Sequence, residues 1–225
     1  MSAVQNSDGH RDRLRERFMR ASTAIEDYEL LELLLFYGVP RKDTKPLAKA
    51  LLKRFGTLRA VLEAPPEVLQ EMEGFGKKLT VLWQVLREVR SRMAIQEASG
   101  QDVLSSPSLV VRVARERLAG CRHEECWLAL VNAQNALQDW LPVQRGGVHD
   151  VHIDAAEILR TALTRKASGI ILVHNHPGGA ARPSAADVVV TDELRELAPK
   201  LGVRFLDHVI VSDGESYSMG LNKTV

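Results

Sequence analysis

Cysteine is nearly missing from this chain. Only Cys121 and Cys126 occur among its 225 residues, too few for a disulfide framework or a four-thiolate zinc site. They read as ordinary reduced thiols packed in apolar surroundings. Long apolar runs are missing too, so no stretch qualifies as a membrane-spanning helix. The N-terminal MSAVQNSDGHRDRLRERF is polar and rich in Arg, without the apolar centre of a secretory signal. A cytoplasmic protein with no membrane partner is the expectation. An excess of one charge is also lacking, with 30 Lys plus Arg against 29 Asp plus Glu. Division at residue 103 leaves 17 basic and 15 acidic residues before it and 13 and 14 after it, so charge alone does not call for a nucleic-acid partner. No repeat of solenoid period occurs.

What is present is enough apolar residue, 45% of the chain, to build two small cores. The first half reads as helical. In DYELLELLLFYG the residues Tyr28, Leu30, Leu31, Leu34 and Leu35 recur at helical spacing, with Asp27 at the start and Gly38 and Pro40 at the stop. A second helix is expected from Asp43 to Phe55, with an Asp-Thr cap, Pro46 in the first turn and Gly56 past the end. Short helices follow. Residues 66–93 read as a helix, a hairpin at Gly74, Phe75 and Gly76, and a longer helix carrying Leu79, Leu82, Trp83, Leu86 and Val89 on one side. This is the pattern of a helix-hairpin-helix. In such hairpins the glycines let backbone N–H groups at the second helix approach a phosphate, and Lys77 and Lys78 stand where added charge would help. The plain alternative is a turn between two packed helices.

Residues 94–108 (AIQEASGQDVLSSPS) lose the helical period and gather Ser, Gly, Gln and Pro, which suits a linker. They divide the chain into expected domains at 1–100 and 105–225. Beyond them a helix over 107–119 precedes the strand ECWLALVN, a turn at QNA and a hairpin partner LQDWLPVQRG ended by Gly146 and Gly147. A helix from Asp154 hands over at Ser168-Gly169 to the buried strand IILV, another helix starts at Ser184, and RFLDHVIVSDGESYSMG reads as two strands joined by Asp213-Gly214. The expected class is α+β: an all-α N-terminal domain and a mixed sheet with flanking helices.

The chemistry gathers in IILVHNHPGGAARPSAADVVV, residues 170–190. Extended residues two apart project to the same side, so His174 and His176 converge just past the end of the strand. Ser184-x-x-Asp187 has the spacing of a capping box, which places the Asp187 carboxylate in the first turn of a helix. Two imidazoles and a carboxylate form a donor set suited to zinc with a fourth position left open. Each half alone is an ordinary feature: a hydrogen-bonded His pair, or a plain cap.

His174-x-His176, a seven-residue spacer and Ser184-x-x-Asp187 together resemble the motif of the JAMM (MPN-plus) metalloproteases, the family that includes deubiquitinating isopeptidases. HNHPGG with RPSAAD, the downstream DHVIV and SYSMG, and the N-terminal DYELLELLLFYGVPRKDTKPLAKALLKRFGTLRAVLEA are similar to the bacterial RadC family, so the resemblance covers nearly the whole chain. Departures from that family are Gly178 where Ser is common, Ala155-Ala156-Glu157 for Pro-Arg-Glu, and the GFGKKLT hairpin.

The resemblance implies a JAMM/MPN-like C-terminal domain holding one Zn2+ per chain through His174, His176 and Asp187. It implies that Ser184 stabilises the oxyanion and that a Glu at the start of the early strand HEECWLALVN is the general acid/base. Glu125 is the residue expected there, with its neighbour Glu124 and the helical Glu157 as alternatives. His208 also follows the RadC pattern, as a structural histidine or as support for a metal ligand. The implied activity is hydrolysis of a peptide or isopeptide bond in a protein or peptide substrate. Two rival readings are a DNA-associated factor binding through Gly74, Gly76, Lys77 and Lys78, in line with the family's DNA-repair label, and a silent scaffold.

Overall fold

A computed structural model describes residues 2–104, 107–118, 120–145, 154–212 and 214–225. The chain forms two compact units, Met1–Glu88 and Val89–Val225. The first holds helices α1 (Ser2–Arg20), α2 (Asp27–Gly38), α3 (Lys45–Phe55), α4 (Leu58–Glu63) and α5 (Pro66–Gln70), and α6 (Lys77–Ala98) begins in it. Local signals explain most of these boundaries. Glu26 and Glu29 form a reciprocal capping box at the start of α2, and Glu29 also pairs with Arg17 at 2.9 Å. Burial opposes ionisation of Glu29, but the hydrogen bond from Arg17 outweighs it and lowers the pKa. Pro46 opens α3 and Gly56, at φ 85°, closes it. Leu31, Leu35, Leu51, Leu79 and Trp83 form the centre of the core. At Gly38 a Cβ would stand 2.2 Å from the Leu79 Cδ2, so any side chain there must displace Leu79.

The helix expected on either side of Gly74 and Gly76 is present as α5 and α6, but α6 runs further than its sequence pattern indicates. The linker expectation for residues 94–98 is therefore wrong. These residues are helical, and Ala94 and Ala98, one helical turn apart, are buried in the second unit's core. Small residues spaced at i and i+4 form a packing face that a composition-based reading takes for linker. Ser99 and Asp102 then bridge to Leu137 and Ala136. Val89, expected to share a side with Leu79 and Trp83, is 48% exposed while those two are buried.

The second unit continues through α7 (Pro107–Leu118), β1 (Glu125–Val131), β2 (Leu137–Arg145), α8 (Ala155–Thr164), β3 (Gly169–Asn175), α9 (Ala185–Lys200), β4 (Arg204–Val211), β5 (Ser216–Ser218) and β6 (Lys223–Thr224). The sheet order is β2-β1-β3-β4-β5-β6. β1 runs antiparallel to β2 and β3, while β3 and β4 are parallel and joined through α9. Alternation along β1 sends Trp127, Ala129 and Val131 into one core cluster and Cys126, Leu128 and Leu130 into another. The first cluster includes α7 and the end of α6; the second includes α8 and α9. Burial on both faces accounts for the unbroken apolar run of β3. Gly146 and Gly147, and Asp213 of the expected turn, lie outside the described residues. Among the described residues no helix is long and apolar enough to cross a membrane.

Candidate metal centre

β3 ends in His174 and Asn175, and the Cα of His174 lies opposite that of Cys126 on β1. His174 faces the side of the sheet covered by α8 and α9, as Leu172 does. The chain then turns sharply, with Gly178 at φ 68° and the His176 Nδ1 3.2 Å from the Ala180 carbonyl oxygen. This turn swings the chain back so that α9 starts against the histidines. At its N-terminus the capping box closes in both directions: the Ser184 hydroxyl accepts the Asp187 N–H, and Asp187 Oδ2 accepts the Ser184 N–H at 2.7 Å.

The side chains meet where the two elements approach. His174 Nε2 is 2.8 Å from His176 Nε2 and 3.2 Å from Asp187 Oδ1, and His176 Nε2 is 3.4 Å from Asp187 Oδ2. Burial opposes ionisation of Asp187, but hydrogen bonds from both histidines and Ser184 outweigh it and hold the carboxyl far below the usual carboxylate range. Hydrogen bonding to Asp187 raises His176 above the ordinary imidazole value despite partial burial. Behind His174 lies His208 of β4, fully buried, with its Nε2 2.8 Å from His174 Nδ1. Burial drives the His208 pKa well below the ordinary value. Among the described residues two overlapping groups of ligand atoms, each within 4.8 Å, result: Glu124, His174 and His176, and His174, Asp187 and His208.

This arrangement lies inside residues 104–224, which match the RadC-like JAB domain, more than half of the chain. The chain belongs to the RadC family. Residues 8–81 match the UPF0758 N-terminal domain. The matched JAB domain places this RadC chain in a family of JAMM-type metallohydrolases.

Of the acidic residues expected at the site, Glu125 is not the one the fold brings there. Its carboxylate accepts a hydrogen bond from Trp127 Nε1 at 3.0 Å and lies 4.0 Å from the Cys121 Sγ. That is the opposite face of β1, because residues 125 and 127 share a side. Glu124, one residue earlier, projects toward the cluster, with Oε1 3.5 Å from His176 Nε2. Asn175 holds this corner. It stands between the two site histidines, its Oδ1 accepts the Glu125 N–H at 2.8 Å, and its Nδ2 donates to the His123 carbonyl at 3.1 Å. One amide thus grips the backbone on both sides of Glu124.

Ser184 stands beside Asp187 at the start of α9. Its hydroxyl donates to Asp187 Oδ2 at 2.7 Å, a contact that orients a site carboxylate. Glu157 is on α8 and pairs with Arg160 at 3.3 Å, away from the cluster. Cys126 is buried on the face of the site, and burial with the negative charges of Asp187 and Glu124 pushes its thiol up, so it stays protonated. In the first unit, Gly74, Gly76, Lys77 and Lys78 line a cavity of about 750 Å³ shared with Lys42 and Thr44. Asn175 and Thr191 were invisible as site residues in the sequence, since Asn175 fills only the unspecified position between the two histidines and Thr191 belongs to no motif.

Proposed function

We propose that this RadC chain is a zinc-dependent hydrolase of peptide or isopeptide bonds, working in the cytoplasm. The observation that carries this reading is the convergence of His174 Nε2, His176 Nε2 and the Asp187 carboxylate within 3.4 Å of one another, with a fourth group, Glu124, on the open side. Two imidazole nitrogens 2.8 Å apart beside an ionised carboxylate fit a borderline cation, and N,N,O donors fit zinc. His174, His176 and Asp187 would hold it, and zinc when bound supplies Lewis acidity to the reacting carbonyl and to water.

The protein's own groups do the rest. Side-chain exposure is 3% for His174 and 7% for Asp187, against 15% for His176 and 41% for Glu124, so substrate approaches from the Glu124 side. Glu124 takes a proton from the attacking water as its oxygen bonds to the carbonyl carbon. It returns that proton to the leaving nitrogen as the C–N bond breaks. Ser184 and the first turn of α9 keep Asp187 ionised and aimed at the histidines. Asn175 fixes the backbone from which Glu124 projects.

The test is zinc content by elemental analysis after mild chelator washing, followed by screening of quenched-fluorescent peptide and isopeptide libraries. About one zinc per chain, lost in His174→Ala and Asp187→Ala, with turnover abolished by chelator, is the expected result. A folded wild type that takes up no zinc refutes the reading.

A second reading is favoured by the lysines at the first unit's cavity. Gly74 and Gly76 lead into α6 beside exposed Lys77 and Lys78, an arrangement suited to a DNA phosphate. DNA affinity that falls steeply with salt, and falls again in Lys77→Ala/Lys78→Ala, would support it.

A further inference from the structure

His174 uses both ring nitrogens. Its Nε2 faces His176 and Asp187, and its Nδ1 lies 2.8 Å from His208 Nε2. The contacts do not stop there. His208 Nδ1 is 2.7 Å from Thr191 Oγ1, and the Thr191 hydroxyl donates to the Met219 sulfur at 3.4 Å. Thr191 lies one helical turn after Asp187 on α9, so both face the sheet. Four side chains therefore close a ring: Asp187 to His174, His174 to His208, His208 to Thr191, and back along α9 to Asp187.

The proton order around this ring follows from its far end. The Met219 sulfur 3.4 Å away offers the Thr191 proton an acceptor of its own, and with the proton turned there Thr191 Oγ1 accepts from His208 Nδ1–H at 2.7 Å. His208 Nε2 is then the unprotonated nitrogen and accepts from His174 Nδ1–H. That leaves the lone pair of His174 on Nε2, the nitrogen turned toward His176 and Asp187. Thr191 and His208 are both fully buried, so no solvent replaces either partner if it is removed.

We propose that His208 and Thr191 are positioning residues that select the Nδ1–H form of His174 and so present its Nε2 as a ready metal ligand. The proposal rests on the zinc-site reading above. Outer partners of this kind typically change metal affinity by about 10- to 100-fold.

Two pairs of variants test it, with Zn2+ alone as the probe in competition with a chromophoric chelator. Thr191→Val keeps the shape and removes the hydroxyl, whereas Thr191→Ser keeps the hydroxyl and removes a methyl. His208→Leu removes the acceptor, whereas His208→Gln sets an amide oxygen at about the reach of Nε2. Zinc affinity should fall about 10-fold or more in Thr191→Val and His208→Leu and stay within about 3-fold in Thr191→Ser and His208→Gln. A purely structural role predicts that affinity instead follows the thermal stability of the zinc-free variants. Long-range 1H–15N NMR of the zinc-loaded wild type should show His208 protonated on Nδ1.

Wild-type affinity in a folded Thr191→Val, equal losses in Thr191→Ser and Thr191→Val, or a proton on His208 Nε2 would each overturn the proposal. If His208→Leu does not fold, the Thr191 pair decides. A wild type that binds no zinc overturns the site reading itself, and zinc bound equally well by every variant overturns only this inference.

Discussion

Glu124 lies just before β1 and Glu125 is its first residue, and the two project to opposite sides of the chain, so replacing each in turn should produce opposite outcomes. The Glu124 carboxylate is 3.5 Å from His176 Nε2 with its side chain 41% exposed, which places it at the open side of the cluster with little packing to lose. Glu124→Gln should lower kcat by about 10²- to 10⁴-fold, the range for a positioned acid/base. It should leave thermal stability within about 0.5 kcal/mol, as for an ordinary exposed substitution. Glu125 is held by Trp127, which is 4% exposed. Glu125→Gln keeps an acceptor for the indole N–H but loses its charge, at a cost of about 0.5–1.5 kcal/mol, and should leave kcat nearly unchanged. Steady-state kinetics on a peptide turned over by the zinc-loaded wild type, together with thermal melts of both variants, would measure the two effects. Loss of turnover in Glu125→Gln with full turnover in Glu124→Gln would refute the face assignment.

Three further outcomes follow from the same geometry. Asn175→Ala removes both bonds that hold the backbone around Glu124; it should lower kcat by roughly 10-fold or more through misplacement of the base while zinc content stays at wild type, and loss of zinc instead would show that Asn175 serves the ligands. Because Asp187 raises the His176 pKa above 6.5 and zinc competes with the proton for Nε2, zinc affinity should be highest above the raised value and fall as pH drops through it; chelator competition across pH measures this, and a fall beginning only below 6.5 would contradict it. Gly38→Ala drives a Cβ to 2.2 Å from Leu79 Cδ2 and should cost about 1–3 kcal/mol in a denaturant titration; wild-type stability would refute the clash by showing that Leu79 turns aside.

Much of the site was legible because its signals are local. The period of a strand sends His174 and His176 to one side, and a capping box places Asp187 in a first turn, with no help from distant residues. The same holds for α2, α3, β1, β3 and α9, where caps, glycines and apolar runs mark the boundaries. The linker reading of residues 94–98 failed for the complementary reason. Ala94 and Ala98 carry too little apolar surface to signal a helix, and their burial is visible only against the strands they pack on.

By itself, then, the sequence determined the donor set, the strand-turn-helix that carries it and the helical and mixed-sheet halves, since each depends on interactions within a few residues. Tertiary structure decided what depends on which face meets which. The entry of the chain into β1, gripped by Asn175, turns Glu124 rather than Glu125 toward the histidines. The packing of α9 on β3 and β4 brings Thr191 and His208, 17 residues apart, into one chain of hydrogen bonds behind His174. Such contacts have no period or spacing along the chain, because buried polar groups find partners wherever the fold brings a matching donor and acceptor together.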